Sequence, residues 1–288
     1  MHYYAMQLIN GESLSEWILR QRAELSGHQF TAHFVDDQAE EFSAEKSGSQ
    51  VRSSVTESVT HTDHRKARVW YQTIARIIAQ VAEALDYAHE SGVVHRDIKP
   101  ANLLVDVKGN AWITDFGLAQ VTAGSSVTRT GDLVGTLRYM SPEQLSGKRT
   151  LIDQRTDIYS LGATLYELLC LQPIYSASDR QQLLHNILYD EPRPLREINR
   201  LIPVELETIV MKALSKSPGE RYQSAAELAD DLHRFLDERP ILARRPTLVD
   251  RARKWLRRHP SVIVSSFIIL LLGIIGLSIS MAAISREE

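Results

Sequence analysis

The stretch His95-Arg96-Asp97-Ile98-Lys99-Pro100-Ala101-Asn102 sets a carboxylate, an ammonium and an amide within a few residues of one another. Eighteen residues beyond Asp97, a second carboxylate follows in Asp115-Phe116-Gly117. A carboxylate can accept the proton of an attacking hydroxyl, and an ammonium can neutralise charge on a group in flight. An amide and a second carboxylate are oxygen ligands of the kind a hard divalent cation prefers. The combination suits phosphoryl transfer, which needs little covalent help from a protein but much positioning, metal clamping and charge neutralisation.

For these groups to converge, the chain between them must fold back. Leu103-Leu104-Val105, a turn through Lys108-Gly109-Asn110, and Trp112-Ile113-Thr114 read as a β-hairpin. That hairpin would present Asn102 at one end and Asp115 at the other. Ahead of it, Ile74, Ile77, Ile78, Val81, Leu85 and Ala88 mark one face of a helix that stops at Ser91-Gly92. Residues 3–9 read as a strand ending at an Asn10-Gly11 turn, and residues 13–20 as the start of a helix. From Ile158 the pattern is helical: Leu206, Ile209, Val210, Ala213 and Leu214 mark one helix. Ser224 with Glu227 forms a capping box opening another, through Leu228, Leu232 and Phe235.

These motifs resemble those of a protein kinase. Gly135-Thr136-Leu137-Arg138-Tyr139-Met140-Ser141-Pro142-Glu143 resembles the segment that closes a kinase activation loop, with Ser141 where Ala is commoner. Asp157-Ile158-Tyr159-Ser160-Leu161-Gly162 resembles the start of the long buried helix of the large lobe, and Arg221 sits where the family has an arginine paired with the glutamate matching Glu143. The resemblance covers residues 3–236. It implies an α+β fold: a protein-kinase-like large (C-terminal) lobe, mainly helical.

By that resemblance the chain is an ATP-dependent serine/threonine protein kinase of the bacterial receptor-like type, with ATP and Mg²⁺ as cofactors. Asp97 is then the catalytic base, and Lys99 neutralises the transferred group; a lysine there is also what serine/threonine kinases show. Asn102 and Asp115 hold Mg²⁺. Met6 is the gatekeeper, the backbone of Gln7 and Ile9 binds the adenine edge, and Leu104 forms the apolar floor. Thr128 and Thr130 are phosphorylation candidates opposite Arg96. Thr136 helps fix Asp97 and Lys99, while His95, Phe116, Glu143, Asp157 and Arg221 are structural supports.

The family's small lobe carries a Gly-rich loop and a strand lysine. Neither occurs ahead of Tyr3, so the resemblance implies a fragment of a longer signalling kinase, lacking most of the small lobe. The alternative is a catalytically impaired, kinase-derived binding module. Small-molecule phosphotransfer on a related fold fits less well, since such kinases usually lack an activation segment running through a residue like Glu143.

Composition narrows the partners. The net charge of −3, from 33 basic and 36 acidic residues, gives no global pull toward nucleic acid. Cys170 is the single cysteine, so no internal disulfide forms, which fits a reducing compartment. Arg244, Arg245, Arg251, Arg253, Lys254, Arg257 and Arg258 cluster just before residues 262–284, which carry no charge. At 1.5 Å per residue that run spans a hydrocarbon core of about 30 Å. The basic flank would stay in the cytoplasm, and the kinase region with it. The expected organisation is a hinge region and first helix over 1–20, a disordered insertion over 21–66 and the large lobe over 67–239. A basic juxtamembrane linker over 240–261 and a single transmembrane helix over 262–284 follow. Substrates would be proteins with Ser/Thr hydroxyls, and a homodimer is compatible with the receptor-like resemblance.

Overall fold

The computed structural model describes residues 9–24, 49–116, 135–146, 152–176 and 179–244, with side chains in the second segment described from residue 66. The chain divides into two compact units, Met1–Ala243 and Arg244–Glu288, and every element below belongs to the first.

The expected hairpin is present. Strands β2 (Leu103–Asp106) and β3 (Ala111–Ile113) pair antiparallel, with Leu103 opposite Ile113 and Leu104 opposite Trp112. Asp106 closes the turn by accepting from the backbone N–H groups of Lys108 and Asn110 at 2.8 and 2.9 Å. Those bonds, chiefly from Asn110, pull the Asp106 carboxyl down to about 2.

A further strand, β1 (Gly11–Ser13), pairs with the other edge of β2, Gly11 lying opposite Asp106 and Ser13 opposite Leu104. This corrects the reading of Asn10-Gly11 as a turn, because Gly11 opens a strand. A Cβ on Gly11 would lie 2.2 Å from the Val105 carbonyl oxygen, so close strand approach, not turn geometry, calls for glycine here. The strand expected over residues 3–9 lies outside the described residues apart from Ile9, which is irregular.

Ser13 caps helix α1 (residues 14–24). Its hydroxyl accepts from Glu16 N–H at 3.2 Å, and Glu16 Oε2 accepts from Ser13 N–H at 2.9 Å, a reciprocal capping box. Helix α2 (Ser49–Glu90) is 42 residues, about 63 Å long. The insertion expected over 21–66 is therefore corrected at both ends, since 21–24 and 49–66 are helical; residues 25–48 lie outside the described set. Polar composition had argued against order, but no Gly or Pro interrupts 49–90. Once the buried half is nucleated, each further residue adds a hydrogen bond without a new nucleus.

The lower half of α2 buries Ile74, Ile78, Val81 and Leu85. After α3 (Pro142–Leu145) comes α4 (Arg155–Cys170), buried from Thr156 to Leu169 and hence the centre of the domain. Helices α5 (Arg180–Tyr189), α6 (Leu195–Ile198), α7 (Val204–Ala213) and α8 (Ala225–Leu236) complete the core, with α8 and α4 packed on α2. A Cβ on Gly162 of α4 would come within 2.8 Å of the Ala213 Cβ, so α4 and α7 meet at a glycine. Ser224 caps α8 as expected, but the Glu227 carboxylate reaches the N–H of Gln223 at 2.9 Å instead of Ser224. Among the described residues no helix is long and apolar enough to cross a membrane, and the expected 262–284 span lies outside them.

Candidate active site

The segment 95–102 joins the end of α2 to β2, and its path is set from below by a buried carboxylate. Asp157, at the start of α4, accepts from the backbone N–H of His95 at 2.8 Å and of Arg96 at 2.7 Å. The His89 ring, on α2, approaches the same carboxylate at 2.8 Å. These bonds hold Arg96 at φ +68°, a left-handed conformation that costs a non-glycine residue about 1–2 kcal/mol. The His95 ring accepts from Asp97 N–H through Nδ1 at 3.3 Å and faces the Thr114 carbonyl through Nε2 at 2.9 Å. That pairing places the proton on Nε2 and ties the loop to the strand leading into Asp115. Phe116 packs edge-on against the same ring, centroids 4.6 Å apart.

Three chemically capable side chains converge on this frame. Lys99 Nζ donates to Asp97 Oδ2 at 2.9 Å and to Thr136 Oγ1 at 3.2 Å. Asn102 Nδ2 donates to the Asp97 carbonyl at 2.8 Å and to Asp97 Oδ2 at 3.1 Å. Asp97 and Lys99 are each about a quarter exposed or less, 26% and 20%, within reach of a substrate yet shielded. With Nδ2 engaged, Asn102 presents Oδ1 as its remaining side-chain acceptor. Its backbone carbonyl accepts from Thr114 N–H at 2.9 Å, which seats the residue next to Asp115. Asp115 is exposed at φ +62°. Asn102 Oδ1 and the Asp115 carboxylate are hard oxygen donors, and they fit a Mg²⁺ that takes its remaining ligands from water and phosphate. Among the described residues no group of three or more His, Cys, Asp or Glu converges, so the cation would rely on this pair.

A second buried network lies behind the site. Arg221 grips Glu143 through both terminal nitrogens, at 2.6 and 2.8 Å, and Thr156 donates to the same carboxylate at 2.8 Å. Burial alone would raise the Glu143 carboxyl, but the hydrogen bonds and charge of Arg221 outweigh it and hold it below the ordinary range. Tyr139 donates to Glu167 Oε2 at 2.5 Å, and Arg22 of α1 pairs with Oε1 at 2.7 Å. Burial, with the Glu167 carboxylate alongside, pushes the Tyr139 hydroxyl well above its usual value, so it remains a donor.

The structure thus brings together Asp97, Lys99, Asn102 and Thr136, and joins Glu143 to Arg221. Leu104 is half-buried in β2, and Ile9 is half-buried at the start of the described chain. Met6, Gln7, Thr128 and Thr130 lie outside the described residues. Sequence reasoning did not single out His89, Glu167 or Gln144; polar residues within apolar helical runs were the available signal for the first two. A cavity of about 590 Å³ between α1, α2 and the hairpin, lined by Trp17, Ile77 and Val105, takes no residue from the 95–102 loop.

Comparison with known proteins agrees with this frame. The protein kinase domain matches over residues 45–233. Serine/threonine-protein kinase PknB of Mycobacterium leprae is 36% identical over 191 residues, which is 66% of this chain and 30% of that protein. PknB of Mycolicibacterium smegmatis is 38% identical over 178 residues, 61% of this chain and 28% of its own. A probable serine/threonine-protein kinase of Streptomyces coelicolor is 39% identical over 163 residues, covering 56% and 24%. The chain spans less than a third of the length of these curated relatives. Since the domain match takes in well over half of its residues, the chain belongs to the protein kinase family.

Proposed function

We propose that this chain transfers the γ-phosphate of Mg-ATP to serine and threonine hydroxyls of proteins while held at a membrane. The observation that carries the reading is the Asp97–Lys99–Asn102–Thr136 cluster. Asp97 orients the acceptor hydroxyl and takes its proton, while Thr136 shapes the acceptor side. Lys99 neutralises charge on the transferred group. Asn102 and Asp115 hold Mg²⁺, which supplies charge neutralisation on the phosphates when bound. Met6, the backbone of Gln7 and Ile9, and Leu104 seat the adenine.

Regulation follows from Arg96, whose Nε is buried without a partner among the described residues. A phosphate on Thr128 or Thr130 brings about two negative charges to that arginine. Residues 67–239 form the large lobe and 240–261 the basic linker. Residues 262–284 form a single span, supported by their lack of charge and by the arginines before them, which keep the kinase region cytoplasmic. Pairing of two chains in the membrane is part of this reading.

One experiment addresses both halves. Cells producing the full chain are separated into membrane and soluble fractions, and each is given labelled ATP, Mg²⁺ and a general acceptor protein. The reading predicts phosphoserine and phosphothreonine in the membrane fraction only, lost on chelating Mg²⁺ and on Asp115→Asn. Mg-ATP binding without transfer would instead point to a binding module, and activity confined to the soluble fraction would remove the anchor.

A further inference from the structure

The peptide unit between Arg96 and Asp97 is held at both ends. Its N–H donates to His95 Nδ1, and its carbonyl accepts from Gln144 Nε2 at 2.8 Å. The preceding N–H is held by Asp157. Gln144 sits in α3, immediately after the segment that closes at Glu143. Its amide is used at both ends: Oε1 accepts from Ser141 N–H at 2.9 Å and from the Ser141 hydroxyl at 3.2 Å. A carboxamide carries an acceptor and a donor on one rigid plane, so it serves both partners at once.

We propose that Gln144 is a positioning residue, coupling the closing end of the activation segment to the peptide plane that aims Asp97. Arg96 is strained at φ +68°, so its carbonyl keeps this direction only while its neighbours hold it. Asp157 and His95 act from the core whatever the segment does. Gln144 alone among these contacts comes from the segment side, so the seating of α3 is reported to Asp97 through one hydrogen bond. The inference rests on the kinase reading for its catalytic consequence, but its geometry does not.

The test separates positioning from capping. A glutamate three residues after a serine makes as good a capping box as a glutamine. Gln144→Glu therefore keeps the Ser141 contacts, while it faces the Arg96 carbonyl with an oxygen instead of a donor. Amide hydrogen exchange is measured by mass spectrometry on the full chain, over residues 93–99 and over α4 and α8. The proposal expects exchange at 93–99 to rise about tenfold with α4 and α8 unchanged. Gln144→Met, which removes both ends, should match it at 93–99; if that variant does not fold, Gln144→Glu decides alone. Where transfer is measurable, kcat should fall about tenfold with KM for ATP unchanged. Unchanged exchange at 93–99 in folded Gln144→Glu, or a rise spread equally over all three regions, overturns the proposal. A chain that transfers no phosphate would sink the kinase reading and leave the exchange result to stand by itself.

Discussion

Asp157 shows how much one carboxylate can organise. Fully buried, it accepts two consecutive backbone N–H groups and meets the His89 ring, so both of its oxygens are committed. Replacing it with asparagine turns one acceptor into a donor facing an N–H. Asp157→Asn should therefore cost on the order of 2–4 kcal/mol, read by denaturant unfolding. A melt unchanged from wild type would mean the loop does not depend on this residue. The candidate residues were legible in sequence because their types and order match what phosphoryl transfer would need. Their partners were less so: His89 looks like any polar residue on a helix, and only the fold brings it to Asp157.

At the scale of elements, the hairpin and α8 could be read because their turn and cap residues lie next to the strands and helix they punctuate. Strand β1 was missed because three residues give no period, and Gly11 is required by a neighbour more than ninety positions away. The early part of α2 was missed because composition speaks to burial, whereas that helix continues by propagation from a buried half. The join between α3 and the loop before α8 rests on the Glu143–Arg221 pair, whose side chains are 5% and 0% exposed. Arg221→Met would strand a buried carboxylate and should destabilise the domain by about 3–5 kcal/mol. The pH dependence has a definite sign. The Glu143 pKa is lowered in the folded state, so its contribution is present above the unfolded carboxylate value of about 4.3 and is lost as pH falls through the lowered one. Unfolding measured from pH 6 to pH 3 should show a fall in stability that is smaller in Arg221→Met; an equal fall in both would assign it to other carboxylates.

Across the whole molecule, a central buried helix, α4, carries at one end the carboxylate that shapes the 95–102 loop. Toward its other end it carries the Glu167 carboxylate that meets Tyr139 and Arg22. The long helix α2 and the hairpin deliver Asp97, Asn102 and Asp115 to one edge of that core, where Thr136 meets Lys99. Every polar contact within the cluster passes through Asp97 or Lys99. The most direct measurement is phosphate transfer from labelled Mg-ATP to an acceptor protein, with wild type and Asp97→Asn compared side by side. Transfer that falls by about 10²–10⁴ in Asp97→Asn, with Mg-ATP binding kept, is the predicted result. Transfer that persists undiminished in Asp97→Asn would contradict the assignment of this loop as the catalytic centre.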